Sequence, residues 1–239
     1  MGKISETGHV INISNFKLMI DTCTAFGAVY NPSNSKLTAA NMTTLWSAAD
    51  TAHQVLTAAI QNSKEPINKR EILFKPARKL VTQTLNYFIS TEASDEIKRD
   101  AKGLADRFRG YKAKKHSNSK DKASDVSKSH LSYVMRADTF RQLVDLYNSD
   151  VNYSPNETGL TVAALTAICT EMKSLNDNVG TILAPIENAR IARNELLYDK
   201  ETGLVDTALA CKKYVRGAFG KSSAEAKQVG GIMFRRKRI

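Results

Sequence analysis

An apolar stripe is written twice in this 239-residue chain. Met42, Leu45, Ala49, Ala52, Leu56 and Ile60 are followed, at a constant shift of 123 residues, by Leu165, Ile168, Met172, Leu175, Val179 and Leu183. Steps of three and four residues put each set on one face of a helix. Repetition at one shift means that a whole helical unit recurs. Flanking segments agree. Asn15-Phe16-Lys17-Leu18-Met19-Ile20-Asp21 returns as Thr139-Phe140-Arg141-Gln142-Leu143-Val144-Asp145. Tyr30-Asn31-Pro32-Ser33 returns as Tyr153-Ser154-Pro155-Asn156. With the shift at 124, Lys69, Glu71, Leu73 and Phe74 fall on Arg193, Glu195, Leu197 and Tyr198, and Leu80-Val81 on Leu204-Val205. Asp106-Arg107-Phe108-Arg109 loosely resembles Ile232-Met233-Phe234-Arg235.

The pattern predicts an all-α fold of two tandem copies in a pseudo-twofold arrangement. Each copy holds a short helix, a long kinked helix and one or two shorter helices. First helices are expected near 15–29 and 139–149. Thr38 and Thr161 are placed to cap long helices near 38–74 and 161–198, with Pro66 and Pro185 interrupting them. Pro76 is expected to open a third helix near 77–90, matched by 204–219. Fourth helices are expected near 94–109 and 222–230. No segment alternates with period two over β-branched residues, so strands are not expected. The implied division is 1–110 for the first copy, 111–136 for a linker and 137–239 for the second copy with its tail. Leu45, Leu56, Ile168 and Val179 are expected in the core.

Charge follows this division. Of a net +11, residues 111–136 carry +5 and Arg235, Arg236, Lys237 and Arg238 carry +4, which leaves the helical body near neutral. The linker is rich in Lys, Ser, Asn and Asp and poor in large apolar residues, so it cannot offset its chain entropy by burial. Basic segments on a neutral body suit a polyanion. The candidate nucleic-acid-binding residues are Lys112, Lys114, Lys115, Lys120, Lys122, Lys128, Arg235, Arg236, Lys237 and Arg238. Tyr111 and Tyr133 bracket the linker and are candidates for base stacking.

Other chemistries have little sequence support. There is no phosphate-binding Gly-rich loop, dinucleotide fingerprint or nucleophile elbow. Glu6-x-x-His9 and Asp50-x-x-His53 have a di-metal spacing, but the second copy has Lys173 and Asn176 at the latter pair's positions. Neither a metal, a cofactor, a small-molecule substrate nor catalysis is expected. Cys23, Cys169 and Cys211 sit among apolar helix positions and read as small buried hydrophobes; their odd count fits a reducing compartment. No apolar run is long enough to span a bilayer and no secretory leader is evident, so no membrane partner and a cytoplasmic location are expected. The repeated Lys69/Glu71 and Arg193/Glu195 pairs suggest ion pairs that set helix register, or a repeated partner contact.

The run Asn188-Ala189-Arg190-Ile191-Ala192-Arg193-Asn194-Glu195-Leu196-Leu197-Tyr198, with Gly203-Leu204-Val205-Asp206 and Tyr214-Val215-Arg216-Gly217-Ala218-Phe219-Gly220, resembles a group of uncharacterised bacterial two-repeat helical proteins. Phe26-Gly27-Ala28-Val29-Tyr30-Asn31-Pro32-Ser33 is similar to their first repeat. The resemblance implies fold and class, and no activity. The expected function is therefore non-catalytic binding of RNA or DNA, without strong sequence specificity, through linker and tail. The alternative is a self-assembling homo-oligomer built through helical faces, where small residues such as Thr57-Ala58-Ala59 permit close approach.

Overall fold

The computed structural model describes residues 6–111 and 131–236. Among them the chain is all-helical, with no strand. Its α-helices are α1 (Glu6–Ala25), α2 (Ala39–Ile89), α3 (Asp95–Arg109), α4 (Tyr133–Ser149), α5 (Val162–Tyr198), α6 (Leu204–Phe219) and α7 (Ala224–Gly231).

Local chemistry explains most boundaries. Ser94, Ser132 and Ser223 cap α3, α4 and α7, each hydroxyl accepting a backbone N–H three residues on. Thr38 Oγ1 accepts from Asn41 N, and Thr161 Oγ1 accepts from Ala164 N, both at 3.3 Å. Ahead of each Thr, a tyrosine closes the loop. Tyr30 donates to the Leu37 carbonyl at 2.7 Å and Tyr153 to the Leu160 carbonyl at 2.8 Å. The Tyr-x-Pro segments thus make the same turn-closing contact in both places.

Two helix expectations are corrected. α1 and α4 begin earlier than the periodicity suggested, and α1 buries His9, Asn12 and Ile13 ahead of the expected start. α2 runs through both Pro66 and Pro76, so no separate helix begins at Pro76. Each proline frees the carbonyl four residues back, at Asn62 and Ile72, and both of those residues are exposed to water that can satisfy it. α5 likewise continues through Pro185. It stops at Tyr198 because the next turn holds Glu201 at φ +75° and brings Gly203 against Asp199; a Cβ on Gly203 would lie 2.6 Å from backbone atoms.

The chain forms two compact units. Unit 1 comprises residues 1–62 and 183–239; unit 2 comprises 63–182. α2 and α5 each pass from one unit to the other. These units cut across the division 1–110 and 137–239 drawn from the sequence, because the continuous middles of α2 and α5 send the two halves of each helix into different cores.

In unit 1, α1 packs on α6 and α7, and Phe16, Met19, Ile20, Cys23, Met42, Ala49, Leu197, Ala208, Cys211 and Val215 make the core. In unit 2, α3 packs on α4, and Phe74, Val81, Phe88, Phe108, Phe140, Leu143, Tyr147, Leu165 and Met172 make the core. Within the duplicated stripe, Met42, Ala49 and Leu56 are buried, as are Leu165, Met172 and Val179. Leu45 and Ile168, expected in the core, are only half-buried in both places, at the edge of the apolar face.

Lys69 bridges to Glu65, four residues back on an exposed surface, rather than to Glu71. Residues two apart point to different helix faces, so Lys69 and Glu71, like Arg193 and Glu195, do not pair with each other along one face. Arg193 is only 2% exposed and donates Nε and Nη2 to Asn194 Oδ1. By burial, its counterpart is half-buried Arg70, at a shift of 123, and Phe74 corresponds to Leu197.

Candidate polyanion-binding site

Of the ten basic residues singled out in the sequence, Lys112, Lys114, Lys115, Lys120, Lys122, Lys128, Lys237 and Arg238 lie outside the described residues. Arg235 and Arg236 are described, and both are exposed in unit 1. Their backbone is held firmly. Asn12, fully buried on α1, donates to the Arg235 carbonyl and accepts from the Arg235 N–H, both at 2.9 Å. Asn15 donates to the Met233 carbonyl at 2.7 Å. Lys212 on α6 donates to the carbonyls of Gly230 and Ile232, satisfying the end of α7. Burial, then the charge of Arg216, holds Lys212 below the usual lysine range. Arg236 meets Asp206 only at 3.7 Å on an exposed surface, which leaves its charge largely available.

The flanks of the linker are in unit 2. α3 ends on Gly110 at φ +76°, whose N–H bonds to the Arg107 carbonyl, while Tyr111 N bonds to the Asp106 carbonyl. A left-handed residue there suits glycine. A Cβ on Gly110 would lie 2.6 Å from a methyl of Leu131, so the two flanks of segment 112–130 meet. Ser132 then starts α4.

Around this junction lies a set of arginines that the sequence reading did not single out. Arg78 on α2 donates to the Arg109 carbonyl at 2.8 Å, a cation at the C-terminus of α3. Arg109 donates to Thr82 Oγ1 at 3.1 Å and pairs with Asp106 at 2.7 Å. Arg136, in the first turn of α4, has its guanidinium 4.6 Å from the Phe108 ring centre and 5.6 Å from that of Phe74. It reaches the Phe74 carbonyl at 3.5 Å, and its buried Nε has no hydrogen-bond partner among the described residues. Burial, then the adjacent Arg78 charge, lowers its pKa below the usual guanidinium value. An arginine starts so high that it stays charged. Arg70 lies 4.1 Å over the Tyr133 ring, and its buried Nε also lacks a partner among the described residues.

Glu71, Phe74, Lys75, Arg78, Tyr133 and Arg136 line an open groove of about 320 Å³ here. Three cations face one carboxylate, and aromatic faces and backbone carbonyls hold the guanidinium groups. Such an arrangement keeps positive charge unneutralised and pre-oriented, the property needed to grip phosphate or another oxyanion. A groove in unit 1, lined by Lys36, Asn41, Thr44, Leu45, Ala48, Thr202 and Thr207, has Lys36 as its one charged lining residue and little to hold an anion.

The two tyrosines proposed for stacking have another use. Arg109 lies over Tyr111 at 4.8 Å and Arg70 over Tyr133, so a guanidinium already occupies one face of each ring. The sequence signal that could have found the groove was the count of Arg136 in the basic segment, together with Tyr133 three residues before it. What was missing was Arg78, more than fifty residues away in sequence.

No helix among the described residues is long and apolar enough to cross a membrane. No family model matches the chain, and neither does any curated protein or solved structure.

Proposed function

We propose that the chain is a non-catalytic polyanion-binding protein of the cytoplasm, with RNA or DNA as its partner, bound through phosphates without strong sequence preference. The observation that carries this reading is the Lys75/Arg78/Arg136 groove, next to the point where the flanks of the basic linker meet. The groove supplies fixed, aromatic-backed guanidinium charge. The linker Lys112, Lys114, Lys115, Lys120, Lys122 and Lys128 and the tail Arg235, Arg236, Lys237 and Arg238 add further positive charge. Backbone phosphates are the natural match for cations at irregular spacing.

The architecture we propose for this body is a duplicated helical unit whose copies exchange halves. Each compact unit takes the first helix and the first half of a long helix from one copy. It takes the second half and the later helices from the other. The paired Tyr30/Leu37 and Tyr153/Leu160 contacts support this pseudo-twofold arrangement.

The test is a titration of a labelled duplex against salt. With about five phosphates neutralised, log affinity should fall against log salt with a slope of about −4 to −5, so tripling the salt weakens binding about 100-fold. Replacing Lys112, Lys114, Lys115, Lys120 and Lys122 with Ser, together with Arg235, Arg236, Lys237 and Arg238, should flatten that slope in a folded protein. An unchanged slope, or no binding by the native chain at low salt, overturns the proposal. In the second case, large protein-only particles by light scattering would favour the self-assembling homo-oligomer.

A further inference from the structure

Cys23 on α1 and Cys211 on α6 are both completely buried, and their sulfurs lie 3.6 Å apart although 188 positions separate them in sequence. Tyr30 Oη lies 3.4 Å from Cys211 Sγ. Because Tyr30 donates its own proton to the Leu37 carbonyl, its lone pair is left to accept from the Cys211 S–H, and Cys211 Sγ can accept from Cys23. The result is an ordered chain of hydrogen bonds from Cys23 to a backbone carbonyl.

Packing alone does not require sulfur here. In unit 2, Tyr147, Phe88 and Tyr153 make the corresponding set of contacts with rings alone, at 4.2 to 5.9 Å between centres, and the tyrosine-to-carbonyl bond is kept. The thiols are therefore particular to unit 1. We infer that Cys23 and Cys211 form a reversible thiol–disulfide site, oxidised by a small peroxide and positioned by Tyr30. Complete burial excludes bulky disulfide oxidants, which is why the oxidant class is a peroxide of nearly the size of water.

The Cys211 thiolate attacks one peroxide oxygen, the O–O bond breaks and hydroxide leaves, taking up the proton that Cys211 lost. Cys23 Sγ then attacks the sulfur of the Cys211 sulfenic acid, the S–O bond breaks and the Cys23 proton leaves with that oxygen as water. Two thiols are oxidised to one disulfide, and hydrogen peroxide is reduced to two waters. The order of attack follows from the environment. The hydrogen bond from Cys23 lowers Cys211, while the same bond and burial push Cys23 up, so Cys211 ionises first.

Cys169 is the internal control. It is the one cysteine of unit 2, half-buried, and burial pushes it up to about 11. The experiment treats the reduced full chain with hydrogen peroxide, alkylates remaining thiols in denaturant and maps unreduced peptides by mass. The expected result is loss of two of three thiols, a mass lower by about 2 Da before alkylation and a Cys23–Cys211 linked peptide that dithiothreitol abolishes. In a Cys23→Ala chain treated with hydrogen peroxide, dimedone added together with the denaturant should trap a sulfenic acid on Cys211. Absence of the linked peptide from the native chain, or consumption of Cys169 as fast as the pair, overturns the inference. The native-chain map decides even if the variant does not fold.

Discussion

In unit 2, Tyr147 stacks on Tyr153 with ring centres 4.2 Å apart, and Phe88 packs on both. In unit 1, Cys23, Tyr30 and Cys211 make the corresponding contacts. Three rings fill volume and fix geometry; two thiols and one ring fill less and introduce chemistry. A second contrast runs alongside. In unit 2, Arg136 lies over Phe108 beside an open groove. At the position of Arg136 shifted by 124, unit 1 has Asn12, which grips the backbone of Arg235. What is left open in one unit is closed in the other by the chain's own tail. Corresponding positions thus carry an arginine beside an open groove in unit 2, and a backbone-gripping amide and a buried thiol pair in unit 1.

The largest effect expected from breaking this contrast is at the centre of unit 2. Phe88→Ala removes a fully buried ring from the stack and should cost about 3–5 kcal/mol in urea unfolding. Cys211→Ala, at the corresponding place in unit 1, removes a single sulfur and should cost about 1–2 kcal/mol. Equal losses would mean that the two centres are packed alike. Next comes the closure of unit 1. Asn12→Ala deletes a buried amide and strands the N–H and carbonyl of Arg235, so about 1–3 kcal/mol should be lost. Limited proteolysis should then cut near Met233–Arg236 sooner than in the native chain, and an unchanged cleavage rate would show that Asn12 does not hold the tail. Smaller again is Gly110→Ala, which forces a side chain into the left-handed region and against Leu131. About 1–2 kcal/mol is expected, read from thermal unfolding.

The sequence carried much of the fold and little of the site, for physical reasons. α3, α5, α6 and α7 have caps, breaks and apolar spacing within one segment, so their bounds were readable to within about two residues. Pro76 lies inside α2 because a long helix can carry a proline where the freed carbonyl is able to reach water, and the exposure of Ile72 is a tertiary property. The stripe of Met42, Ala49 and Leu56 named its core face correctly, while the half-burial of Leu45 depends on how wide the partner surface is. That α2 and α5 each pass from one unit to the other was not legible, because periodicity does not say which partner a helix meets. The thiol pair and the Arg78–Arg136 groove join residues 188 and 58 positions apart, and each member alone looks ordinary.

The measurement that bears most directly on the central claim is fluorescence anisotropy with a labelled duplex. It compares the native chain, a Lys75→Gln/Arg78→Gln chain and a Lys36→Gln chain across a salt series. All three positions are exposed, so folding should persist and is checked by helicity. The account predicts about tenfold weaker binding at low salt for the unit 2 pair, with the salt slope shallower by about 2, and no change for Lys36→Gln in the unit 1 groove. Equal effects of the unit 1 and unit 2 substitutions, or none from either, would contradict it.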